Sequence, residues 1–528
     1  ADNNCAFGSS SMGANTTGSS NSAFGQGTLG ANTTGSSNTA IGQGALDVNT
    51  TASSNTAVGR DCLGANTTGG ANTAIGKDCL DANTTANNNV GVGAFCLSAN
   101  TTGADNVGVG AYAFEDNTTG GSNTGVGYFA LGNNTTGDYG VAVGKNALAA
   151  NTTGTQNTAV GSTALEANTT AHNNNAFGFE ALKANTTGAS NCAVGSHALL
   201  VNTTGGSNTA IGHRTLDANT TASLNTAVGK SALTDTTTGG YNTAVGSDAL
   251  ESNTTGNYNT AVGNEALQKN TTADSNTAIG REALKENTTG YQNTALGYLA
   301  GGANTTGFRN TYLGWKCAYQ SETGQYNTGV GDQAFQSNTT GKEQAAFGHA
   351  SLNDCTTGSY NAGFGSESLK GVTTGDSNTG LGRTAGLYIT TGDNNVCVGK
   401  SSGTGSSPSG NITTGSNIIC LGNNSTTDLY CADTSISSSD KRDKTDIVNF
   451  THGLNWVNQL NPVTYRWDKR AWYDNNTPDG SKKRNRKHIG FLAQDVLAIE
   501  GNPTNKDDML VVNLNEDDTA YGLKYERL

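Results

Sequence analysis

The chain has few prolines, few charged residues and no long apolar run, and each shortage excludes a class of protein. Only four of its 528 residues are proline, and all four lie outside the regular repeats (Pro408, Pro462, Pro478, Pro503). A chain with 73 glycines and so little proline has neither the composition of collagen nor that of a proline-rich disordered segment. No window of about 18 apolar residues occurs, so we expect no membrane-spanning segment.

Charge is also scarce, at 13% of residues, and it is unevenly distributed. Residues 440–528 hold 14 basic and 14 acidic residues, whereas residues 1–439 hold 15 basic and 28 acidic ones. An acidic body disfavours nucleic acid as a partner, because binding to phosphates requires clustered cations. The basic run Lys482–Lys487 lies in the neutral part of the chain, and we interpret it as a solvated loop.

A period of 17 residues organises most of the sequence. A glycine stands at position 8 and at every seventeenth position up to 399, which makes 24 glycines without an exception. A six-residue insertion around Thr404–Ser409 then shifts the phase, and Gly422 resumes it. The unit reads N-T-T-G-x-x-N-T-A-V-G-x-x-A-L-x-x, as in Asn253–Lys269. A fixed period of this kind predicts a repeat architecture.

The columns of the repeat predict parallel coils. The N-T-T-G segment is a turn signal, in which Gly120 or Gly256 would take a positive φ and the asparagine would bond to nearby backbone. The asparagine before the strand would stack on its copies as an amide ladder. Each strand carries an adjacent Ala-Val pair, whose side chains point to opposite faces. Since both faces are apolar, we predict that one lines the coil and that the other is covered by another chain.

The ten cysteines suggest neither a disulfide framework nor a zinc site. Cys62, Cys79 and Cys96 are 17 residues apart and occupy a column that usually holds alanine. We interpret them as small buried apolar residues of a reduced protein, although neighbouring coils would bring them close enough to bridge. No CxxC motif is present. We therefore predict no metal site and no cofactor.

The repeats resemble two families of fibrous protein. They are similar to the head repeats of trimeric autotransporter adhesins, whose N-S-x-A-I-G units form trimeric β-rolls. They are more similar to the N-T-A-I-G…N-T-T-G arrays of phage and environmental-virus fibre proteins. The resemblance implies an all-β fold, a parallel β-solenoid or β-roll of 17-residue coils, assembled as a homotrimer with copies of itself.

The composition changes at about Thr426, and four motifs follow in order: S-D-x-R-x-K at Ser439–Lys444, L-x-P-V-x-Y-R-W at Leu460–Trp467, I-G-F-x-A-Q-D-V at Ile489–Val496, and Y-G-L-K-Y at Tyr521–Tyr525. In order and spacing this segment resembles the intramolecular chaperones at the C-termini of endosialidase tail spikes and phage neck appendages, the S74 peptidase family. The resemblance implies a trimeric folding aid that releases itself by autoproteolysis.

The resemblance also implies the residues that cut the chain. Ser439 would be the nucleophile and Lys444 the general base, cleaving the Ser438–Ser439 bond once per chain. A lysine acts as a base only when neutral, so its pKa must fall from about 10.4. Arg442 would lower it, whereas Asp440 would oppose that shift. Enzymatic turnover is not expected in the shaft, whose regular repeats offer no unique carboxylate pair.

These observations predict three segments: a β-solenoid shaft of about 24–25 repeats at residues 1–424, a linker at 425–438, and a small α+β chaperone domain at 439–528. The predicted function is a virion tail fibre or appendage shaft, located at the extracellular surface and used in host adhesion. Its partners would be its own copies, virion or appendage proteins, and a host-surface glycan or receptor. The alternative is a cell-surface trimeric adhesin of bacterial or eukaryotic-virus origin.

Overall fold

The computed structural model describes residues 2–428, 453–470, 473–474, 477–503, 511–514 and 521–523. These fall into two compact units, Ala1–Asn327 and Thr328–Leu528. This division differs from the predicted segment boundaries at residues 424 and 438, which stay predictions.

The first unit is a stack of coils, each contributing one three-residue strand. The strands are β1 Cys5–Phe7, β2 Ser22–Phe24, β3 Thr39–Ile41, β4 Thr56–Val58, β5 Thr73–Ile75, β6 Val90–Val92, β7 Val107–Val109, β8 Thr124–Val126, β9 Val141–Val143, β10 Thr158–Val160, β11 Asn175–Phe177, β12 Cys192–Val194, β13 Thr209–Ile211, β14 Thr226–Val228, β15 Thr243–Val245, β16 Thr260–Val262, β17 Thr277–Ile279, β18 Thr294–Leu296 and β19 Thr311–Leu313. Successive strands pair in parallel, and each residue lies beside the residue 17 positions later, as Thr226 lies beside Thr243.

One coil shows how the apolar residues are arranged. Ala244, at the centre of β15, and the following Ala249 and Leu250 are fully buried in the lumen. The chain bends at residues in the left-handed region, including Leu250 (φ 52°) and Tyr258 (φ 58°). A bulky side chain rarely adopts this conformation. Burial of the leucine offsets that cost, because a fully buried leucine contributes about 1.5–3 kcal/mol.

The glycine that ends each strand is required by its backbone. Gly246 has φ +141°, and a Cβ built on it would lie 2.4 Å from the carbonyl oxygen of Gly263 in the next coil. Only glycine adopts this conformation without strain, and only glycine fits that approach. The invariance of this column in all 24 repeats therefore has a physical cause.

The prediction of positive φ at the turn glycines is wrong. Gly120 and Gly256 are not among the residues with positive φ. Glycine is favoured there by space, because a Cβ on Gly256 would lie 2.4 Å from the carbonyl oxygen of Ala273. Alanine nevertheless fills the same column at Ala222 and Ala273. The coil therefore makes room for a methyl group at this position.

Two buried asparagine columns run along the unit, and their roles differ. The turn asparagine, the first residue of N-T-T-G, bonds to its own turn as predicted: Asn32 Nδ2 donates to the Gly35 oxygen at 3.0 Å. It also builds an amide ladder from coil to coil, since Asn32 Nδ2 donates to Asn15 Oδ1 at 2.9 Å. The pre-strand asparagine instead accepts backbone hydrogen bonds from the next coil, as Asn38 N donates to Asn21 Oδ1. The predicted amide ladder along the pre-strand column therefore forms only in places, as where Asn38 Nδ2 donates to Asn21 Oδ1 at 3.1 Å, and the more regular ladder is that of the turn asparagines.

The amide ladder breaks where Thr236 replaces a turn asparagine, and Asn219 Oδ1 is left buried without a partner among the described atoms. We expect Thr236→Asn to raise the unfolding free energy by about 1–3 kcal/mol, the usual cost of an unsatisfied buried acceptor. The new amide would donate to Asn219 and accept from Asn253, whose Nδ2 now lies 3.4 Å from the threonine hydroxyl. Denaturant unfolding followed by circular dichroism measures the change.

The control is Thr238→Asn, two residues away in the same turn at an exposed position outside the ladder. Its effect should stay within about 0.5 kcal/mol, as is usual for surface substitutions. Equal effects of the two substitutions would contradict the ladder.

Unusual lumen residues are matched by small neighbours. The tyrosine Tyr312 stands in the strand-centre column that usually holds alanine, and it is fully buried. Gly301 replaces the usual leucine beside it, where a Cβ would lie 2.8 Å from the Tyr312 ring. Cys79 is matched in the same way, because a Cβ on Gly91 would lie 2.6 Å from its Sγ. Hydrogen bonds to Cys62 and Cys96, with burial, raise the pKa of the Cys79 thiol, so it stays protonated.

The second unit begins with further coils and ends in a small mixed domain. Its coil strands are β20 Thr328–Val330, β21 Ala345–Phe347, β22 Ala362–Phe364, β23 Thr379–Leu381, β24 Val396–Val398 and β25 Ile419–Leu421. The remaining elements are α1 Leu454–Val457, β26 Val463–Tyr465, β27 His488–Gly490, α2 Ala493–Ile499, β28 Val512–Leu514 and β29 Tyr521–Leu523. β26 pairs antiparallel with β27, and β28 pairs antiparallel with β29. The predicted fold class, a parallel solenoid followed by a small α+β domain, is confirmed.

Candidate functional site

The predicted cleavage site lies outside the described residues. All of its residues fall between residues 429 and 452: Ser438, the predicted nucleophile Ser439, its neighbours Asp440 and Arg442, and the predicted base Lys444. Their catalytic and supporting roles therefore stay predictions.

The other three motifs supply the strands and a helix of the small domain. The L-x-P-V-x-Y-R-W motif contains β26, and the I-G-F-x-A-Q-D-V motif spans the end of β27 and the start of α2. Their strands meet with Val463 opposite Gly490 and Tyr465 opposite His488. The closing Y-G-L motif is β29, which pairs with β28. Motifs far apart in sequence are thus joined by strand pairing.

A compact apolar cluster explains several motif residues. Trp456 of α1 packs with Val496 and Leu497 of α2, with Val512 of β28 and with the preceding Val511. The motif residues Leu460, Phe491 and Leu523 pack against this cluster. Their role is therefore in the core of the domain. The sequence reasoning used them only as family signatures, although their apolar character already indicated burial.

Beside β26 and β27 lies an aromatic and cationic cluster. The Trp467 ring lies 5.2 Å from that of Tyr465, and the Lys469 ammonium lies 5.1 Å from the Trp467 ring centre. Burial lowers the pKa of Lys469, and the Arg484 guanidinium lowers it further. The sequence reasoning missed this lysine. The basic run was the available signal for a second cation near Lys469. Its Arg484 donates its backbone N–H to the oxygen of Trp467 at 2.9 Å, which places the run beside this cluster.

The coils carry a different candidate surface, which we call the outer stripe: the third residue of each strand. Its residues are valine, isoleucine, leucine or phenylalanine in all the described coils. In the first unit their side chains are exposed or partly exposed; Val245, for example, is 37% exposed. The strand-centre alanines are buried, so the outer stripe is the unshielded face of the Ala-Val pair.

Two kinds of site have no representative among the residues that the structure describes. No group of three or more His, Cys, Asp or Glu side chains is arranged to hold a metal ion. Neither described helix has the length and apolarity that a bilayer crossing requires.

The comparison with known families places the C-terminal motifs. Residues 439–504 match the Peptidase S74 family, described as the chaperone of endosialidase. The match begins at Ser439 and includes three of the four motifs, those at 439–444, 460–467 and 489–496. No curated protein matches the chain. Together, the β-solenoid and this match support a tail-fibre-like protein with a C-terminal chaperone domain.

Proposed function

We propose that the chain is the shaft of a homotrimeric fibre, a virion tail fibre or appendage at the extracellular surface, assembled by its own chaperone domain. The chaperone domain sets the alignment of the three chains and then cuts itself free. The observation that carries the proposal is the outer stripe, an apolar surface that a single chain leaves exposed to solvent.

The outer stripe supports assembly because it is apolar, regular and exposed. Neighbouring stripe residues such as Val228, Val245 and Val262 lie one coil apart, at about 4.8 Å. Soluble monomers rarely expose continuous apolar patches larger than a few hundred Å², and larger ones mark interaction surfaces. A copy of the same chain presents a stripe with the same repeat. The choice of three copies follows the family resemblance.

The regular register explains why a shaft of this kind needs a chaperone. Every described neighbouring strand pair in the first unit is offset by 17 residues. Sliding one copy by a whole coil would place valine on valine again, so the repeats alone do not select one alignment. A non-repetitive segment is needed, and residues 425–528 would supply it.

The small domain supports the chaperone role by its exposed apolar side chains. Leu454 is 74% exposed and Ile489 is 80% exposed, and Leu492 is also exposed. These residues flank a small core and would be covered if three copies of the domain met. Contact among the domains before the coils stack would align the three chains.

Release follows from the chemistry assigned to Ser439 and Lys444. Neutral Lys444 would accept the hydroxyl proton as Ser439 Oγ attacks the carbonyl carbon of Ser438. The peptide C–N bond breaks, the nitrogen leaves with a proton, and water then hydrolyses the resulting ester. One bond is cut per chain, and no other co-reactant is needed.

We expect the full-length wild-type protein to yield fragments 1–438 and 439–528, whereas Ser439→Ala and Lys444→Ala each leave one intact chain. Ser439→Ala removes the attacking oxygen, and Lys444→Ala removes the base. Denaturing electrophoresis with N-terminal sequencing of the small fragment measures both outcomes.

Thr445→Ala, next to the predicted base, is the matched control and should still be cleaved. A wild-type protein that stays intact after assembly would refute the catalytic assignment. A small fragment starting at a residue other than Ser439 would refute the assigned bond.

A further inference from the structure

The six-residue insertion is the place in the second unit where the 17-residue period is interrupted. Across it, equivalent residues are 23 positions apart, as Asn394 Nδ2 donates to Asn417 Oδ1 at 2.8 Å. Val396 of β24 pairs with Ile419 of β25, so the coils continue on either side. The extra residues therefore form a loop on the side of an otherwise regular stack.

Hydrogen bonds brace this loop. Ser407 and Thr404 are both buried, and Ser407 Oγ donates to the Thr404 oxygen at 2.8 Å. Ser407 and Ser409 share a further hydroxyl–hydroxyl bond of 2.8 Å. Pro408, between them, has its φ fixed by its ring. A loop held in this way is preorganised, and preorganisation reduces the entropic cost of binding a ligand.

Beside the loop lies a cleft of about 290 Å³, lined by Thr384, Tyr388, Ser401, Ser406, Asn411 and their neighbours. None of the lining residues is charged. Small-molecule pockets have volumes of roughly 300–1,000 Å³, and this cleft lies at the lower limit of that range, so it suits a ligand of one small ring.

The lining offers unused hydrogen-bonding groups and an aromatic surface. The structure shows no hydrogen bond, among the residues that it describes, for the side chains of Ser406, Asn411 or Tyr388. An asparagine amide both donates and accepts, and so does a hydroxyl. The Tyr388 side chain is 48% exposed, which leaves much of it accessible to a ligand.

We infer that this cleft binds a neutral saccharide. A sugar presents hydroxyls that both donate and accept, together with apolar C–H faces that pack on aromatic rings. A charged ligand would find no counter-ion in the lining, and a purely apolar one would leave polar groups unpaired. The inference rests on the proposed function in one respect: the saccharide would belong to the host-surface partner of the shaft.

The test uses the full-length protein and saturation-transfer NMR with glucose, galactose, mannose, N-acetylglucosamine and, as a charged probe, N-acetylneuraminic acid. We expect at least one neutral sugar to bind. Tyr388→Ala and Asn411→Ala should each weaken that binding by about tenfold or more, which corresponds to about 1.4 kcal/mol. Tyr360→Ala is the matched control, because Tyr360 is an equally exposed tyrosine (50%) in the same unit but outside the cleft.

Binding of none of the neutral sugars, or of the acidic sugar alone, would overturn the inference. Equal losses in Tyr388→Ala and Tyr360→Ala would also overturn it, because the binding would then lie elsewhere. Mass by light scattering and self-cleavage are measured on the same samples. Wild-type assembly without sugar binding refutes this inference alone, whereas a monomeric wild-type protein refutes the proposed function.

Discussion

The triple variant Val194→Asp, Val228→Asp and Val262→Asp should be a folded single chain, whereas the wild-type protein should have three times the mass of one chain. The three substitutions lie on the outer stripe in alternate coils, about 10 Å apart. In an isolated chain the new carboxylates would face water and cost little. In a trimer each would be buried against identical charges, and an unpaired buried charge costs several kcal/mol or more.

The matched control is Ser190→Asp, Leu224→Asp and Tyr258→Asp. These positions have the same spacing and are exposed, but they lie on another face of the coil. All three already have φ near 60°, a region that aspartate tolerates. Light scattering gives the mass, and far-UV circular dichroism checks the fold. Assembly of the stripe variant, or loss of assembly in the control, would contradict the role of the outer stripe.

Gly246→Ala should disrupt the stack, whereas Gly256→Ala should be tolerated. At Gly246 the added Cβ meets both a forbidden backbone conformation and a neighbouring carbonyl oxygen. We expect a loss of about 3 kcal/mol or more, since strain in this region alone costs about 1–3 kcal/mol. At Gly256 we expect less than about 1 kcal/mol, because alanine fills that column in other coils and φ is not positive there.

Stability in a repeat stack is a sum of local terms, so the damage should be local. Hydrogen exchange read by mass spectrometry measures it, and protection should fall in the coils around Thr243–Val245 and Thr260–Val262. Equal loss of protection in the two variants would show that crowding at the carbonyl, rather than backbone conformation, determines where glycine is needed.

The coil architecture was predictable because its causes repeat in every unit. The 24 regular glycines and the scarcity of proline indicated parallel backbone ladders, and the Ala-Val pairs indicated one buried and one outward face. The error about Gly120 and Gly256 arose because a glycine signals either backbone freedom or lack of space. Only the atoms of the neighbouring coil distinguish the two.

Contacts between coils and between distant segments were harder to predict. The amide ladder was assigned to the pre-strand asparagine. Both asparagine columns repeat equally well, so the sequence does not indicate in which column the side-chain amides bond to one another. Burial is the main cause of the lowered pKa of Lys469, and the second cause is Arg484, which strand pairing of β26 with β27 brings near. The roles of Ser439 and Lys444 rest on the family resemblance alone.

The turn-asparagine ladder has a mechanical consequence. Its amides all point the same way, each Nδ2 toward the preceding coil, and aligned hydrogen bonds strengthen one another. Such a chain resists stretching as a whole but is weak where it is interrupted. In the first unit it is interrupted at Thr236 and Ser321, which leave the oxygens of Asn219 and Asn304 unpaired. Under tension along the stack of coils, we expect the coils to separate first at these two levels, so the residues of the turn column set the distance between the two weak levels.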